Sequence, residues 1–216
     1  MELLDRTFDK TAIRKNYKHV AWFYDFWSLL TENKAANHVI DFSEIKDGES
    51  ILEVACGTGI IFEKIVRRNP NGKNIGIDLS PDMLKRAKKK LQKLQGSNFQ
   101  LKEGDARHLD FVDNSFDLVI NNFMLDLIPA GLFDKIAGEF FRVLKPGGRL
   151  IISTFAFGTK KVNKFWFWVA KYFPDLLTGC RPVSFRENLI NAGFKIEKDI
   201  QISQNTFPAE VIRAGK

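Results

Sequence analysis

The stretch that most constrains this chain is I-L-E-V-A-C-G-T-G at residues 51–59, a short apolar run that ends in a glycine turn. From residue 60 to 68 the apolar residues resume at helical spacing, so the segment reads as strand, tight turn, helix. Such a turn gathers free backbone N–H groups and the positive end of a helix dipole at one point, which suits an anionic or strongly polar group. Any close strand-to-helix crossover also favours glycine, so the motif needs support from elsewhere in the chain.

The pattern that follows supplies it. Residues 74–78, N-I-G-I-D, read as a second buried strand, and Pro81 sits near the first turn of a helix reaching about residue 93. Further strands are predicted at 98–102 and 116–121. A helix over 133–144 ends at K-P-G-G, which turns the chain into a fifth strand at 149–154. Strands alternating with helices imply a parallel sheet covered on both faces. Ahead of it, residues 17–42 are apolar and aromatic without Pro or Gly and read as a helical cap, with a break at residues 31–33. Behind it come an aromatic and basic insertion, a helix over 183–192 stopped by Gly193, and two strands, 194–202 and 207–214, which form a hairpin on one sheet edge.

Composition places this pattern in a single globular domain: 216 residues, 44% hydrophobic and 27% charged. The net charge of +7 favours anionic partners. Cys56 and Cys180 stand alone with no repeated Cys or His spacing, which argues against a metal site and a disulfide framework and for a reducing compartment. The amino terminus has no secretory pattern, and no apolar run approaches the roughly 20 residues of a spanning helix. The expected location is the cytoplasm, with peripheral membrane contact at most.

Asp78 closes the second strand about 20 residues past the glycine turn, where a carboxylate can accept hydrogen bonds from both hydroxyls of a ribose. It could instead cap the next helix, although Ser80 before Pro81 is better placed for that. A dinucleotide fingerprint calls for a third small residue where this chain has Phe62, which weighs against a nicotinamide or flavin dinucleotide.

Four segments then occur in order over roughly residues 50–154: E-V-A-C-G-T-G; G-I-D-L-S-P-D-M-L; G-D-A-R-H-L-D-F followed by F-D-L-V-I; and R-V-L-K-P-G-G-R-L. Together they resemble the successive motifs of class I S-adenosylmethionine-dependent methyltransferases. The resemblance implies an α/β Rossmann-like fold, with a seven-stranded, mostly parallel sheet whose last strand is antiparallel and helices on both faces. The division is then a helical cap (1–48), a cofactor-binding core (49–154), the insertion (155–182), and a closing helix and hairpin (183–216). S-adenosylmethionine is the implied cofactor and S-adenosylhomocysteine the product.

The resemblance also implies roles. Glu53, Ala55, Cys56, Gly57 and Gly59 border the methionine part, Asp78 holds the ribose, and Leu79 and Met83 flank the adenine. Asp105 reads the adenine amino group beside the N–H of Ala106, and Asn121 lies near the methionine end. Ala55 stands where the usual motif has its first glycine, which predicts slightly altered packing rather than lost binding.

Methyl transfer from a sulfonium is a direct displacement that alignment and exclusion of water can accelerate, so no conspicuous base is required. The residues that could take a proton are Tyr24, Asp25, His108 and Asp126. Tyr24 and Asp25 form a pair resembling the cap of ubiquinone and menaquinone methyltransferases and of some phospholipid and small-amine methyltransferases. Each candidate has a structural alternative: Tyr24 as a packing residue, His108 as a loop residue, Asp126 as a cap for the helix after Pro129.

Tyr17 and Trp27 of the cap and Phe165 and Trp166 of the insertion are the candidate substrate pocket. The insertion interleaves its aromatics with Lys160, Lys161, Lys164 and Lys171, which suits a lid over a lipophilic acceptor, a helix at an anionic membrane surface, or plain packing on the core. The expectation is methyl transfer to a small lipophilic acceptor, such as a quinone precursor or phospholipid. Nucleic acid is disfavoured, because the lysines of residues 85–93 read as a solvated helix face and the fourth strand ends in N-N-F-M rather than N-P-P-Y. A noncatalytic S-adenosylmethionine-binding protein is the alternative from another class.

Overall fold

Seven strands form one sheet in the order β3-β2-β1-β4-β5-β7-β6 in a computed structural model that describes residues 33–94, 98–158, 163–172 and 180–216. In chain order the elements are α1 (Asn33–Ser43), β1 (Ser50–Val54), α2 (Ile60–Arg68), β2 (Lys73–Asp78), α3 (Pro81–Leu91), β3 (Phe99–Glu103) and β4 (Phe116–Asn122). Two short 3-10 turns follow (Leu125–Leu127 and Ala130–Leu132). The chain then continues through α4 (Phe133–Val143), β5 (Leu144–Phe155), α5 (Asn163–Tyr172), α6 (Arg186–Asn191), β6 (Lys195–Gln204) and β7 (Phe207–Gly215). β1 to β5 pair in parallel, and β7 runs antiparallel to both β5 and β6. The expected fold class and terminal hairpin are both present.

Strand alternation builds two layers. Ile51, Leu118, Ile151 and Val211 face the side covered by α1, α2, α3 and α5. Their neighbours Leu52, Val119, Leu150, Ile152 and Ile212 face the side covered by α4 and α6. In α2 the buried residues are Ile61, Phe62, Ile65 and Val66, one stripe of the helix, with Glu63 in the first turn and Arg67 and Arg68 in the last complementing the dipole. The Oγ of Ser80 accepts the Met83 N–H at 3.4 Å and Pro81 follows it, so α3 starts where the sequence signals it.

Three elements differ from expectation. Helix α1, the described end of the expected cap, is packed on the sheet itself, with Ala35, Ala36, Val39 and Ile40 buried there. K-P-G-G does not precede the fifth strand but bulges out of it, since Leu144 pairs with Phe116 and Arg149 with Leu118. Gly147 supplies the positive φ there, and its N–H donates to the Lys216 carbonyl. Helix α6 is shorter than predicted, because the Val183 N–H is held by the Phe155 carbonyl and keeps residues 183–185 out of the helix. Tyr17, Tyr24, Asp25 and Trp27 lie outside the described residues, as does most of the expected cap.

The sheet order reverses between β1 and β4, which makes the carboxyl ends of these strands the place where a crevice opens.

Candidate functional site

The turn after β1 is built from left-handed residues: Ala55, Gly57 and Gly59 have φ of 60°, 54° and 80°. The two glycines do different work. A Cβ on Gly57 would meet nothing within 4 Å among the described residues, because this backbone faces the crevice. A Cβ on Gly59 would come within 3.1 Å of Ala87, so Gly59 allows α2 and α3 to approach.

Asp78 is tied to that turn. Its Oδ2 accepts the Gly57 N–H at 2.8 Å and its Oδ1 accepts the Ser80 N–H at 2.8 Å. Burial raises its pKa, and the backbone N–H groups of Ser80, Gly57 and Leu79 oppose the rise by favouring the carboxylate. A carboxylate offers about four lone-pair positions, so acceptor capacity remains on this residue.

Behind the turn, Glu53 is 2% exposed, and its Oε2 has no hydrogen-bond partner among the described residues. Burial first, and then the neighbouring Asp78, push its pKa well above the usual carboxyl range. Asn121 is fully buried; its Nδ2 donates to the Val54 carbonyl at 2.8 Å, and its Oδ1 has no partner among the described residues. Cys56 turns its sulfur into the core beside Gly76, and burial raises its thiol pKa, so only its backbone belongs to the turn.

At the end of β3, the guanidinium of Arg107 grips both oxygens of Asp105, with Nε to Oδ1 at 2.9 Å and Nη2 to Oδ2 at 2.6 Å. The Arg107 N–H also donates to Oδ1.

These residues border a cleft of about 820 Å³, its open mouth included. One side carries Asp78, Leu79, Ser80, Met83, Gly104, Asp105, Ala106 and Arg107; the other carries Asn122, Phe123, Met124, Leu127 and Ile128; Val54, Ala55 and Gly57 form the end.

The structure thus brings Ala55, Gly57, Asp78, Leu79, Met83, Asp105 and Ala106 to the cleft, and leaves Glu53, Cys56, Gly59 and Asn121 behind its wall. Asn122, one residue on, is the asparagine that faces the cleft; its Oδ1 also accepts the Ser153 hydroxyl. Two catalytic candidates are misplaced. Asp126 is fully buried and holds the Phe155 N–H at 2.9 Å, an anchor for the segment after β4. His108 is exposed and belongs to a separate concavity with Glu139 and Arg142. Phe165 and Trp166 are also off the cleft, because α5 packs on the terminal hairpin, where the Trp166 indole N–H donates to Thr206 Oγ1 at 2.9 Å.

Arg107 and the wall from Phe123 to Ile128 were not anticipated. The run N-N-F-M-L-D-L-I is apolar directly after a strand, which is a signal for a wall, but the positive φ of Phe123 that turns it there has no signature in its residue type.

Residues 45–176 match the family model described as a methyltransferase domain. The chain belongs to this methyltransferase family. It is 36% identical over 152 residues to a demethylmenaquinone methyltransferase of Lactobacillus johnsonii, covering 68% of this chain and 61% of that protein. It is 32% identical to malonyl-[acyl-carrier protein] O-methyltransferase 2 of Ilyobacter polytropus, covering 68% of this chain and 55% of that protein. The chain therefore spans less than two thirds of the length of either relative. A solved S-adenosylmethionine-dependent methyltransferase from Methanosarcina mazei shares the fold, with a TM-score of 0.67 at 23% identity over 82% of this chain and 96% of that one.

S-adenosylmethionine is the cofactor that the sequence motifs imply. The residues present fit it. Asp78 is a buried acceptor with capacity to spare for ribose hydroxyls, Leu79 and Met83 offer apolar surface to a base, and Glu53 is a buried carboxyl that a nearby cation would satisfy.

Proposed function

We propose that this protein transfers a methyl group from S-adenosylmethionine to a small apolar acceptor. The observation that carries the reading is the two-sided cleft at the switch point between β1 and β4, with its carboxylates on the β2–β3 side and an apolar wall from Phe123 to Ile128 opposite. Bound there, the cofactor supplies an electrophilic methyl group on a sulfonium.

The chain's own residues do the positioning. Asp78 accepts the ribose hydroxyls while the Gly57 and Ser80 N–H groups fix its plane. Leu79 and Met83 flank the adenine from one side of the cleft, and Asp105, held flat by Arg107, accepts from its amino group. Glu53 and Asn121, with the turn of Ala55, Cys56, Gly57 and Gly59, set the electrostatics of the methionine end. Phe123, Met124, Leu127 and Ile128 exclude water from the reacting side, which favours displacement at a cation.

The same wall supports an apolar acceptor over a carrier-bound acid, in line with the relative named for demethylmenaquinone rather than the one named for malonyl-[acyl-carrier protein]. Asp126 is buried on the Phe155 N–H and His108 lies outside the cleft, so we propose Tyr24 and Asp25 of the amino-terminal segment as the groups that take a proton, with Tyr17 and Trp27 on the acceptor side.

Incubation with methyl-labelled S-adenosylmethionine and a cell extract, followed by separation into organic-soluble, aqueous, nucleic-acid and protein fractions, tests this reading. Label in the organic fraction is expected. Label confined to another fraction overturns the acceptor class, and cofactor binding with no label in any fraction makes the chain a binding protein rather than an enzyme.

A further inference from the structure

Asn122 closes β4 at the switch point and stands opposite Ser153 of β5 in the parallel register. Its neighbour Asn121 points to the other face of the strand and donates to the Val54 carbonyl. Directly after it, Phe123 at φ of 49° turns the chain, and the Phe123 N–H donates to the Ser153 carbonyl at 3.0 Å. Asn122 is therefore the last side chain of the strand and the first of the wall that continues through Phe123, Met124, Leu127 and Ile128. Among the described residues of that wall it is the one polar side chain.

Its amide is held in one orientation. The Ser153 hydroxyl is fully buried and donates to Asn122 Oδ1. A buried hydroxyl proton needs an acceptor, and this one makes no other hydrogen bond among the described residues, so turning the amide round would strand it. The two N–H donors of Nδ2 are left over. They have no hydrogen bond among the described residues, and they sit on a half-buried side chain that borders the cleft. An apolar wall gives affinity without orientation, whereas a fixed donor on it selects a ligand by where its lone pair lies.

This donor is on the side left for the acceptor. Asp78 and Asp105 lie across the cleft, and the turn of Ala55 and Gly57 forms its end. N–H groups carry partial positive charge, so they do not serve a sulfonium; their partner is an atom with a lone pair.

We infer that Asn122 determines acceptor specificity: its Nδ2 donates to an oxygen of the acceptor, a carbonyl or hydroxyl carried on an otherwise apolar molecule. Ser153 is the positioning residue that holds the amide for it. The inference rests on the apolar acceptor proposed above and narrows it, because a molecule without that oxygen leaves the donors unpaired in an apolar surround.

Asn122→Leu keeps roughly the size of the side chain and removes both donors. The test measures initial rates with methyl-labelled S-adenosylmethionine while the organic-soluble fraction of a cell extract is titrated in, and S-adenosylhomocysteine affinity by calorimetry on the same protein. The amount of that fraction giving half the maximal rate is expected to rise about tenfold or more, with S-adenosylhomocysteine affinity within about twofold of wild type. Ser153→Ala keeps the donors but frees the amide, and should raise the half-saturating amount by about threefold, again with the affinity for S-adenosylhomocysteine retained. Unchanged half-saturation in Asn122→Leu overturns the inference. So does a loss of S-adenosylhomocysteine affinity as large as the loss of transfer, which would assign the amide to the cofactor's carboxylate. Wild-type protein that labels nothing in the organic fraction marks a failure of the acceptor reading itself, seen before any variant is compared.

Discussion

Gly57 donates its backbone N–H to the Oδ2 of Asp78, 21 residues away, at 2.8 Å. The glycine turn and the acid of the second strand are therefore one construction rather than two motifs side by side. The turn fixes the carboxylate plane before any ligand arrives, and the carboxylate in turn satisfies an N–H of a turn whose backbone is left-handed at Ala55, Gly57 and Gly59.

Glu53 should make the unliganded protein less stable at higher pH. Its folded pKa lies well above the ordinary value of 4.5, so the folded state holds a proton that the unfolded state releases. Its favourable contribution is complete below the unfolded pKa and is lost as pH rises through the folded one. Glu53→Gln removes the ionisation and is expected to raise Tm at pH 8 by about 2 °C or more while weakening cofactor affinity. Thermal melts from pH 5 to 9 check this (on the order of one unit per step); a variant no more stable than wild type at pH 8 contradicts it.

Ala55 adopts φ of 60°, a conformation that strains an L-residue by about 1–2 kcal/mol. Ala55→Gly relieves that strain at a cost of about 0.4–1 kcal/mol from greater unfolded-state entropy, so Tm should rise slightly. Ala55→Val, branched at Cβ, should lower it. Calorimetry of the two variants gives opposite signs if the turn has this geometry, and equal losses if it does not.

Gly76 and Phe62 explain each other. A Cβ on Gly76 would lie 3.0 Å from Leu101 Cδ2 and 3.2 Å from both the Cys56 sulfur and the Phe62 ring. Gly76→Ala should cost about 1–3 kcal/mol through overpacking. Combining it with Phe62→Leu should cost less than the sum of the two, a coupling that a double-mutant cycle in urea measures. Simple additivity would place the clash elsewhere.

The fold was legible because its signals are local. Apolar runs broken by Gly57, Pro81 and the K-P-G-G bulge mark nearly every crossover, and Ser80 caps α3 as its residue type suggests. The β2 side of the cleft was legible for the same reason, since Asp78 and Gly57 sit at fixed offsets from strand ends. The opposite wall was not. Whether Asn121 or Asn122 faces the cleft depends on where β4 ends, a shift of one residue that swaps faces. Asp126 carries the residue type of a base, yet its burial behind β5 follows from tertiary packing that no spacing reveals. For α5, residue type left a lid, a membrane-surface helix and plain packing open, and the Trp166–Thr206 bond that directs the helix to the hairpin follows from tertiary contacts no spacing reveals.

The most direct measurement is a calorimetric titration of S-adenosylhomocysteine into the wild-type chain and into Asp78→Ala. Binding by the wild type and a loss of about 100-fold or more in the variant are expected, because each hydrogen bond to a charged group contributes about 1.5–3 kcal/mol and the ribose makes two. Equal affinity in the two proteins, with both folded, would contradict the assignment of this cleft as the cofactor site.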